Sequence, residues 1–230
     1  MVPKRLESSE VPYTTRWLSY PDIADKLSSA GVPPTRTEKP FYTVPSIIDQ
    51  SSAKSPVHLA DSLVIVNYLE KTYPSRTIFP CGSRDIQLSY NEAIHKHVYT
   101  PMIPMAVPNT VRILDGRDLE FYRATRKDFL GVALEDMFPV HKQASLWRDL
   151  QKGLDEISAL VDRAQGQRKC ASRWLFSPNE CPSYADFVLG SMFIWFKMAG
   201  PEGGWDRVSR WHGGRWGRLL RELQPYSQVR

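Results

Sequence analysis

Four groupings of residues in this chain have the types and spacing to do chemistry. Asp61 and Ser62 open an amphipathic stretch; such a pair caps a helix, and the Ser62 hydroxyl with the first helical amides also makes an anion pocket. Val44-Pro45 interrupts a β-branched run at 43–49, so that Pro45 either limits the run to a sheet edge or sits after a cis bond. Arg36 and Lys39 lie in the loop before it, cations suited to a carboxylate or simply solvated. Ser183 and Asp186 have the spacing of a capping box, in which the hydroxyl accepts from the amide of 186 and the carboxylate from the amide of 183. Cys81, Cys170 and Cys181 are too scattered for a disulfide framework, and no CxxC or Cys/His cluster offers a zinc site, so no metal is expected.

The elements that must position these residues fall into two kinds. Early in the chain the segments are short and mixed. YTTRWLS (13–19) reads as a strand ending at Pro21, and a helix begins near Asp22 with Ile23, Ala24 and Leu27 and stops at Gly31 and Pro33-Pro34. TVPSIID (43–49) and VHLA (57–60) read as two further strands joined by turn chemistry at 49–54, and a helix runs from Asp61-Ser62 to about Tyr73. Pro74 and the TIFPCG segment mark the boundary, giving expected domains at 1–80 and 83–230.

Beyond residue 82 strand signals disappear. The segments 83–99, 118–136 and 145–165 read as amphipathic helices; in the last, Leu146, Leu150, Leu154, Ile157 and Val161 form one buried stripe. SYADFVLGSMFIWFKM (183–198) is apolar on nearly every face, which places it centrally in a bundle. A buried helix end needs capping partners, which Ser183 and Asp186 supply.

With 42% hydrophobic and 24% charged residues over 230 positions, the composition is that of a globular protein. The longest apolar run, Phe187–Phe196, is broken by Gly190 and Ser191 and falls short of the roughly 20 residues a membrane span needs. MVPKRLESSE lacks a secretory pattern, so a cytoplasmic location is expected. The net charge of +5 and the basic, Trp-rich tail (Trp205 to Arg218) admit an anionic partner. The tail reads instead as one apolar side bearing Trp211 and Trp216 with arginines on the wet side, so nucleic acid is not the expected partner.

In order, the interrupted strand YTVPSIID, the helix start in LADSLVIVNYLEKTYP and, about 110 residues further on, PSYADFVLG resemble the fungal cytosolic glutathione transferases, as does WLSYPDI at 17–23. The likeness runs from Val11 onward. It implies an α+β fold, a truncated thioredoxin-like N-terminal domain followed by an all-helical C-terminal domain, with glutathione as cofactor. It further implies that a cis peptide before Pro45 turns the Val44 backbone toward the cysteinyl part of glutathione. Ser62 and the helix amides would hold the γ-glutamyl carboxylate, Asp61 its ammonium, and Lys39, with Arg36, the glycyl carboxylate. His95, Tyr99 and Arg112 would line the second-substrate pocket; from the residues alone, His95 and His97 read as helix surface and Tyr99 as a core aromatic with a wet tip.

The chain departs from the family at its start. In the family a strand and a helix precede what is here the Tyr13 segment, with the thiol-activating Tyr, Ser or Cys between them; about a dozen residues stand there in this chain, where about twice that is needed. The catalytic residue is therefore unassigned. The expected activity is addition of the glutathione thiol to a small hydrophobic electrophile, or double-bond isomerisation if the adduct is expelled, as in the trans-cis isomerases of pseurotin-type fungal secondary metabolism. The competing reading is a catalytically inactive interaction module. A homodimer is expected on either reading.

Overall fold

The computed structural model describes residues 12–37, 41–51, 55–74, 77–166, 174–177 and 181–227. The chain divides into two units between Thr77 and Ile78.

In the first unit, α1 (Ile23–Ser29) follows a short 3₁₀ turn at Tyr20–Asp22 and ends at Gly31, whose φ of +73° suits a residue without Cβ. β1 (Ser46–Asp49) and β2 (Val57–Ala60) pair antiparallel, with Ser46 opposite Ala60 and Asp49 opposite Val57. α2 (Ser62–Thr72) follows directly. Leu27, Val32 and Ala60 form a small core under Leu18, Ile23, Ala30 and Tyr42, while α2 buries Ile65, Val66 and Leu69.

The strand expected at 13–19 does not form. Residues 12–19 are irregular: Trp17 is 81% exposed, while Leu18 packs on the small core. The segment's β-branched and aromatic residues suit a strand, but a strand also needs a ladder partner, and none pairs with it among the described residues. Pro45 stands just ahead of β1, outside the ladder.

A hydroxyl network ties β1 to α2. Asp49 Oδ2 accepts from Tyr68 (2.8 Å) and Tyr73 (2.7 Å), and its Oδ1 from the Ser51 amide (2.8 Å). Partial burial works against the charge of Asp49, yet the hydrogen bonds from Tyr73, Ser51 and Tyr68 prevail and hold the carboxyl at about 2.

The second unit is helical: α3 (Arg84–Ile94), a π turn at His95–Tyr99, α4 (Thr100–Ala106), α5 (Gly116–Leu130), α6 (Val140–Gly166), α7 (Tyr184–Ala199) and α8 (Gly204–Glu222). α6 starts earlier than the stripe at 146–161 suggests, and Leu150, Leu154, Ile157 and Val161 of that stripe are buried. α7 buries Tyr184, Phe187, Leu189, Phe193 and Phe196. The tail does not form one continuous amphipathic helix. It breaks at 211–214, where His212, Gly213 and Gly214 take positive φ, so Trp216 is fully buried while Trp211 lies half-exposed with Trp147 and Arg207. Trp216 Nε1 donates to His212 Nδ1 (2.8 Å), which leaves the Nε2 proton of a neutral imidazole for Asp155 (2.8 Å).

The start of α7 carries the buried polar centre of this unit. Asp186 is fully buried; its Oδ2 accepts from the Ser183 amide (2.8 Å) and hydroxyl (2.5 Å), and its Oδ1 from the Leu175 amide (2.9 Å). Ser183 and Asp186 close the capping box. Gln87, also fully buried, donates to the Ile78 carbonyl (3.3 Å) and Ser83 Oγ (2.8 Å) and accepts from the Ala185 amide (3.0 Å), while the Tyr184 amide donates to the Ile78 carbonyl (2.9 Å). Burial drives the Asp186 carboxyl up to about 6 despite the hydrogen bonds from Ser183 and Leu175 that favour its charge.

Asp186→Ala leaves the Leu175 and Ser183 amides buried without acceptors and is expected to lower stability by about 2–4 kcal/mol, read as a fall in melting temperature by circular dichroism. Because the folded carboxyl titrates above its unfolded value, the neutral acid favours the fold, and that contribution disappears as pH rises through about 6. Wild type is therefore expected to gain about 1 kcal/mol relative to Asp186→Asn between pH 7 and pH 5 in urea titrations; an equal response of both proteins contradicts the assignment.

Candidate glutathione site in the first unit

The hairpin register decides what lies beside what. With Ser46 opposite Ala60, the residues just outside the ladder at that end are Val44-Pro45 on one strand and Asp61-Ser62 on the other. The two motifs, 16 positions apart in sequence, thus share one end of the sheet.

The Val44-Pro45 bond is cis, and Val44 is 52% exposed. Val44 lies outside the β1 ladder, whose first paired residue is Ser46. The preceding loop is itself folded back. The Thr35 amide donates to the Phe41 carbonyl (2.9 Å) and the Phe41 amide to the Arg36 carbonyl (3.2 Å), with the Arg36 guanidinium 5.5 Å from the Phe41 ring centre. Lys39 lies outside the described residues.

Across from Val44, Asp61 is the N-cap of α2. Its Oδ1 accepts from the Leu63 (2.8 Å) and Val64 (3.1 Å) amides. Its φ of +76° is costly for a residue with Cβ, about 1–3 kcal/mol, and such positions concentrate at ligand clamps. The cap therefore belongs to Asp61, and Ser62, as the first helical residue, carries its hydroxyl at the positive end of the helix dipole. Asp61 Oδ2 accepts no protein amide of the helix start. The arrangement offers, on one sheet end, a backbone pair, a hydroxyl at a helix N-terminus and one carboxylate oxygen: suitable partners for a short peptide-like ligand bearing both an anion and an ammonium.

The residues expected to hold a second substrate lie in the other unit. His95 and Tyr99 sit on the π turn with ring centres 4.8 Å apart, and Tyr99 is 5.8 Å from Trp195 of α7. Arg112 is directed elsewhere. Its guanidinium donates to the Gly200 carbonyl (2.5 Å), at the edge of a groove of about 300 Å³ that Lys197, Met198 and Trp205 also line. Ser183 and Asp186 are structural, as described above. The sequence reading did not single out Gln87 or Trp195. Gln87 shares the 87–90–94 stripe of α3 with Tyr90 and Ile94, and a polar residue on such a stripe was the available signal. Among the described residues no cluster of His, Cys, Asp and Glu could hold a metal, and no helix is long and apolar enough to cross a membrane.

The family description glutathione S-transferase, C-terminal domain, matches residues 86–226. The chain belongs to the glutathione S-transferase family. The chain is 32% identical over 195 residues to the glutathione S-transferase-like protein ustS of Aspergillus flavus, a match spanning 80% of this chain and 68% of that relative. Among solved structures, a glutathione S-transferase of Ceriporiopsis subvermispora in complex with glutathione superposes with a TM-score of 0.85 at 30% identity, covering all of this chain and 90% of that one. Glutathione transferase GSTFuA3 from Phanerochaete chrysosporium superposes with a TM-score of 0.83 at 28% identity, covering 99% and 89%. The fold is that of a glutathione transferase: a small, partly stranded N-terminal part before a helical C-terminal part.

Replacement of Asp61 separates its two structural effects. Asp61→Ala loses the cap and keeps the unfavourable backbone, at an expected cost of about 1–2 kcal/mol. Asp61→Gly loses the cap but relieves the backbone and is expected to cost less. Chemical denaturation that ranks Gly below Ala in stability contradicts this account.

Proposed function

We propose that this transferase binds glutathione at the Val44 and Asp61-Ser62 end of the hairpin and adds its thiol to a small hydrophobic electrophile. The observation that carries the reading is the register, which sets the cis Val44-Pro45 bond beside the capped start of α2. Supporting it, two solved relatives from Ceriporiopsis subvermispora were crystallised in complex with glutathione. On this reading the Val44 amide and carbonyl pair with the cysteinyl unit, Ser62 and the helix terminus take the γ-glutamyl carboxylate, Asp61 Oδ2 takes the ammonium, and Lys39 the glycyl carboxylate.

No residue is assigned as thiol activator. A free thiol with a pKa near 8.5 holds a few per cent thiolate at neutral pH, and an electropositive pocket raises that fraction. A conjugated enone or polyene then suffices as substrate: the thiolate sulfur bonds to the β-carbon, the electron pair moves onto the carbonyl, and a proton completes the adduct. If sulfur is expelled before protonation, after rotation about the former double bond, the net outcome is trans-cis isomerisation and glutathione is regenerated. The kinship with ustS, a fungal protein, supports a role on a fungal metabolite.

Glutathione titrated calorimetrically into wild type is expected to give saturable binding. Ser62→Ala should weaken it by about 1.5–3 kcal/mol, because the hydroxyl meets a charged group. Asp61→Asn keeps an oxygen to cap the helix and should lower affinity with little change in melting temperature. Wild type that fails to bind at millimolar glutathione would sink the reading and favour an interaction module.

We further propose a homodimer, since Ile48 and Val64 of the first unit are 43% and 47% exposed and apolar surface of this kind is commonly covered by association. Sedimentation at micromolar concentration should give twice the 26.4 kDa chain mass; a monomer alone refutes it.

A further inference from the structure

His212 occupies a position that a glycine would fill without strain. Its φ of +53° lies in the break of α8, and Gly213 and Gly214 follow it with positive φ of their own. A residue with Cβ is disfavoured there unless its surroundings hold it. Here the side chain is held on both edges: Nδ1 accepts from Trp216 Nε1 (2.8 Å), and Nε2 donates to Asp155 Oδ1 of α6 (2.8 Å).

The other charges near the ring are engaged elsewhere. Arg215 donates to the Ser158 carbonyl and hydroxyl and to Asp162 of α6, Arg218 donates to the Gly213 carbonyl, and Glu156 is paired with His97. On α7, Asp186 is held by the Ser183 and Leu175 amides, and Lys197 lines the groove beside Arg112. Among the described residues, Asp155 is thus the charge that faces the ring, and its side chain is 59% exposed.

The segment beyond the break closes the bundle. Trp216 is fully buried, with its ring 5.7 Å from that of Phe193 on α7. Leu219 and Leu223 are buried too; a Cβ on Gly190 of α7 would stand 2.3 Å from Leu223 Cδ1. Tyr226 meets Trp174 and Phe187 edge-on. Across the break, a Cβ on Gly217 would stand 3.0 Å from the Ser209 carbonyl oxygen, so the two halves of α8 are close-packed at this joint.

We propose that His212 is an acid-sensitive latch: neutral, it locks the 215–227 segment through Trp216, and protonated, it releases that segment. Indole N–H only donates, and imidazole Nδ1 accepts only while it carries no proton. Uptake of a proton at Nδ1 sets N–H against N–H at 2.8 Å, and water cannot reach the buried indole to replace the lost acceptor. The imidazolium keeps Asp155, but a pair with so exposed a carboxylate holds weakly. The ring therefore stays with Asp155 and parts from Trp216. Imidazoles change charge between about pH 5 and 8, which sets the range in which the latch works. The latch lies wholly in the second unit and does not depend on the function proposed above.

The test is amide hydrogen exchange of the 15N-labelled chain, followed by NMR at pH 7.5 and pH 5.0 and expressed as protection relative to free peptide, so that the direct effect of pH on exchange cancels. In wild type the amides of 219–223 should lose protection at least about tenfold at the lower pH. The His212 15N shifts at pH 7.5 should show a bare Nδ1 and a protonated Nε2. In His212→Asn, whose side chain tolerates positive φ and keeps an acceptor oxygen without titrating, protection should change less than about twofold. Trp216→Phe, which removes the donor, should be equally indifferent to pH. Unchanged protection in wild type, a proton on Nδ1 at pH 7.5, or the same loss in His212→Asn overturns the proposal. The Asp186 carboxyl cannot mimic the effect, because it favours the fold as pH falls. If the variants fail to fold, wild type alone decides: loss of protection must share its pH midpoint with the His212 ring shifts, and a midpoint that follows another imidazole, such as His97, refutes the latch.

Discussion

The second unit is organised by one requirement: a helix that starts inside an apolar core has amides that water cannot reach. α7 meets it with Asp186, Ser183 and Gln87, all fully buried. Asp186 and Gln87 each face more than one segment. Asp186 takes the Leu175 amide as well as the Ser183 amide, so the cap also fixes the segment at 174–177. Gln87 joins α3, the stretch at Ile78–Ser83 and the Ala185 amide. An unmet amide here would cost about as much as a large part of a typical domain's stability margin, which makes the whole knot cooperative. It also explains the raised Asp186 carboxyl: the geometry demands acceptors, and burial makes a charged acceptor expensive. The polar knot thus fixes the start of α7, and through α7 the position of Trp195 further along the same helix.

The first unit solves a related problem with fewer means. Its two strands of four residues each are too short to be held by their ladder alone. Asp49 with its tyrosine and serine donors clamps one end to α2, and Asp61 caps α2 at the other. The hairpin end carrying the Val44-Pro45 bond is therefore held between a short ladder and a capped helix. The unfavourable backbone at Asp61 is tolerated because both neighbours over-determine it.

Much of this was legible in the sequence wherever one residue type has one physical use. Ser183-x-x-Asp186 announced a capping box, VHLA a strand, and Gly31 the end of α1, because amide satisfaction, pleat and positive φ leave few alternatives. The strand read at 13–19 failed for the opposite reason: β propensity describes fit to a pleated surface, and the surface must be supplied by another part of the chain. Gln87 was passed over because glutamine is ordinarily a surface residue, and only its place on the Tyr90–Ile94 stripe marks it. The π turn and the break at 211–214 had local causes in plain view, Pro101 four residues after His97 and Gly213-Gly214, but each is a departure from a helix that periodicity alone continues through.

The expected sites for glutathione and for a second substrate rest on different physics. The hairpin end would recognise its ligand through a main-chain pair, a helix terminus and two small side chains, groups whose placement follows from backbone geometry. Most substitutions elsewhere in the first unit leave such groups where they are, provided the register and the cap survive. The residues expected at a second-substrate pocket are side chains instead: His95 and Tyr99 stand on a π turn that Pro101 and Gly153 hold in place, and a replacement there leaves the polar knot untouched. A fold built this way would hold its cofactor through backbone geometry and leave the side chains around a second ligand free to change.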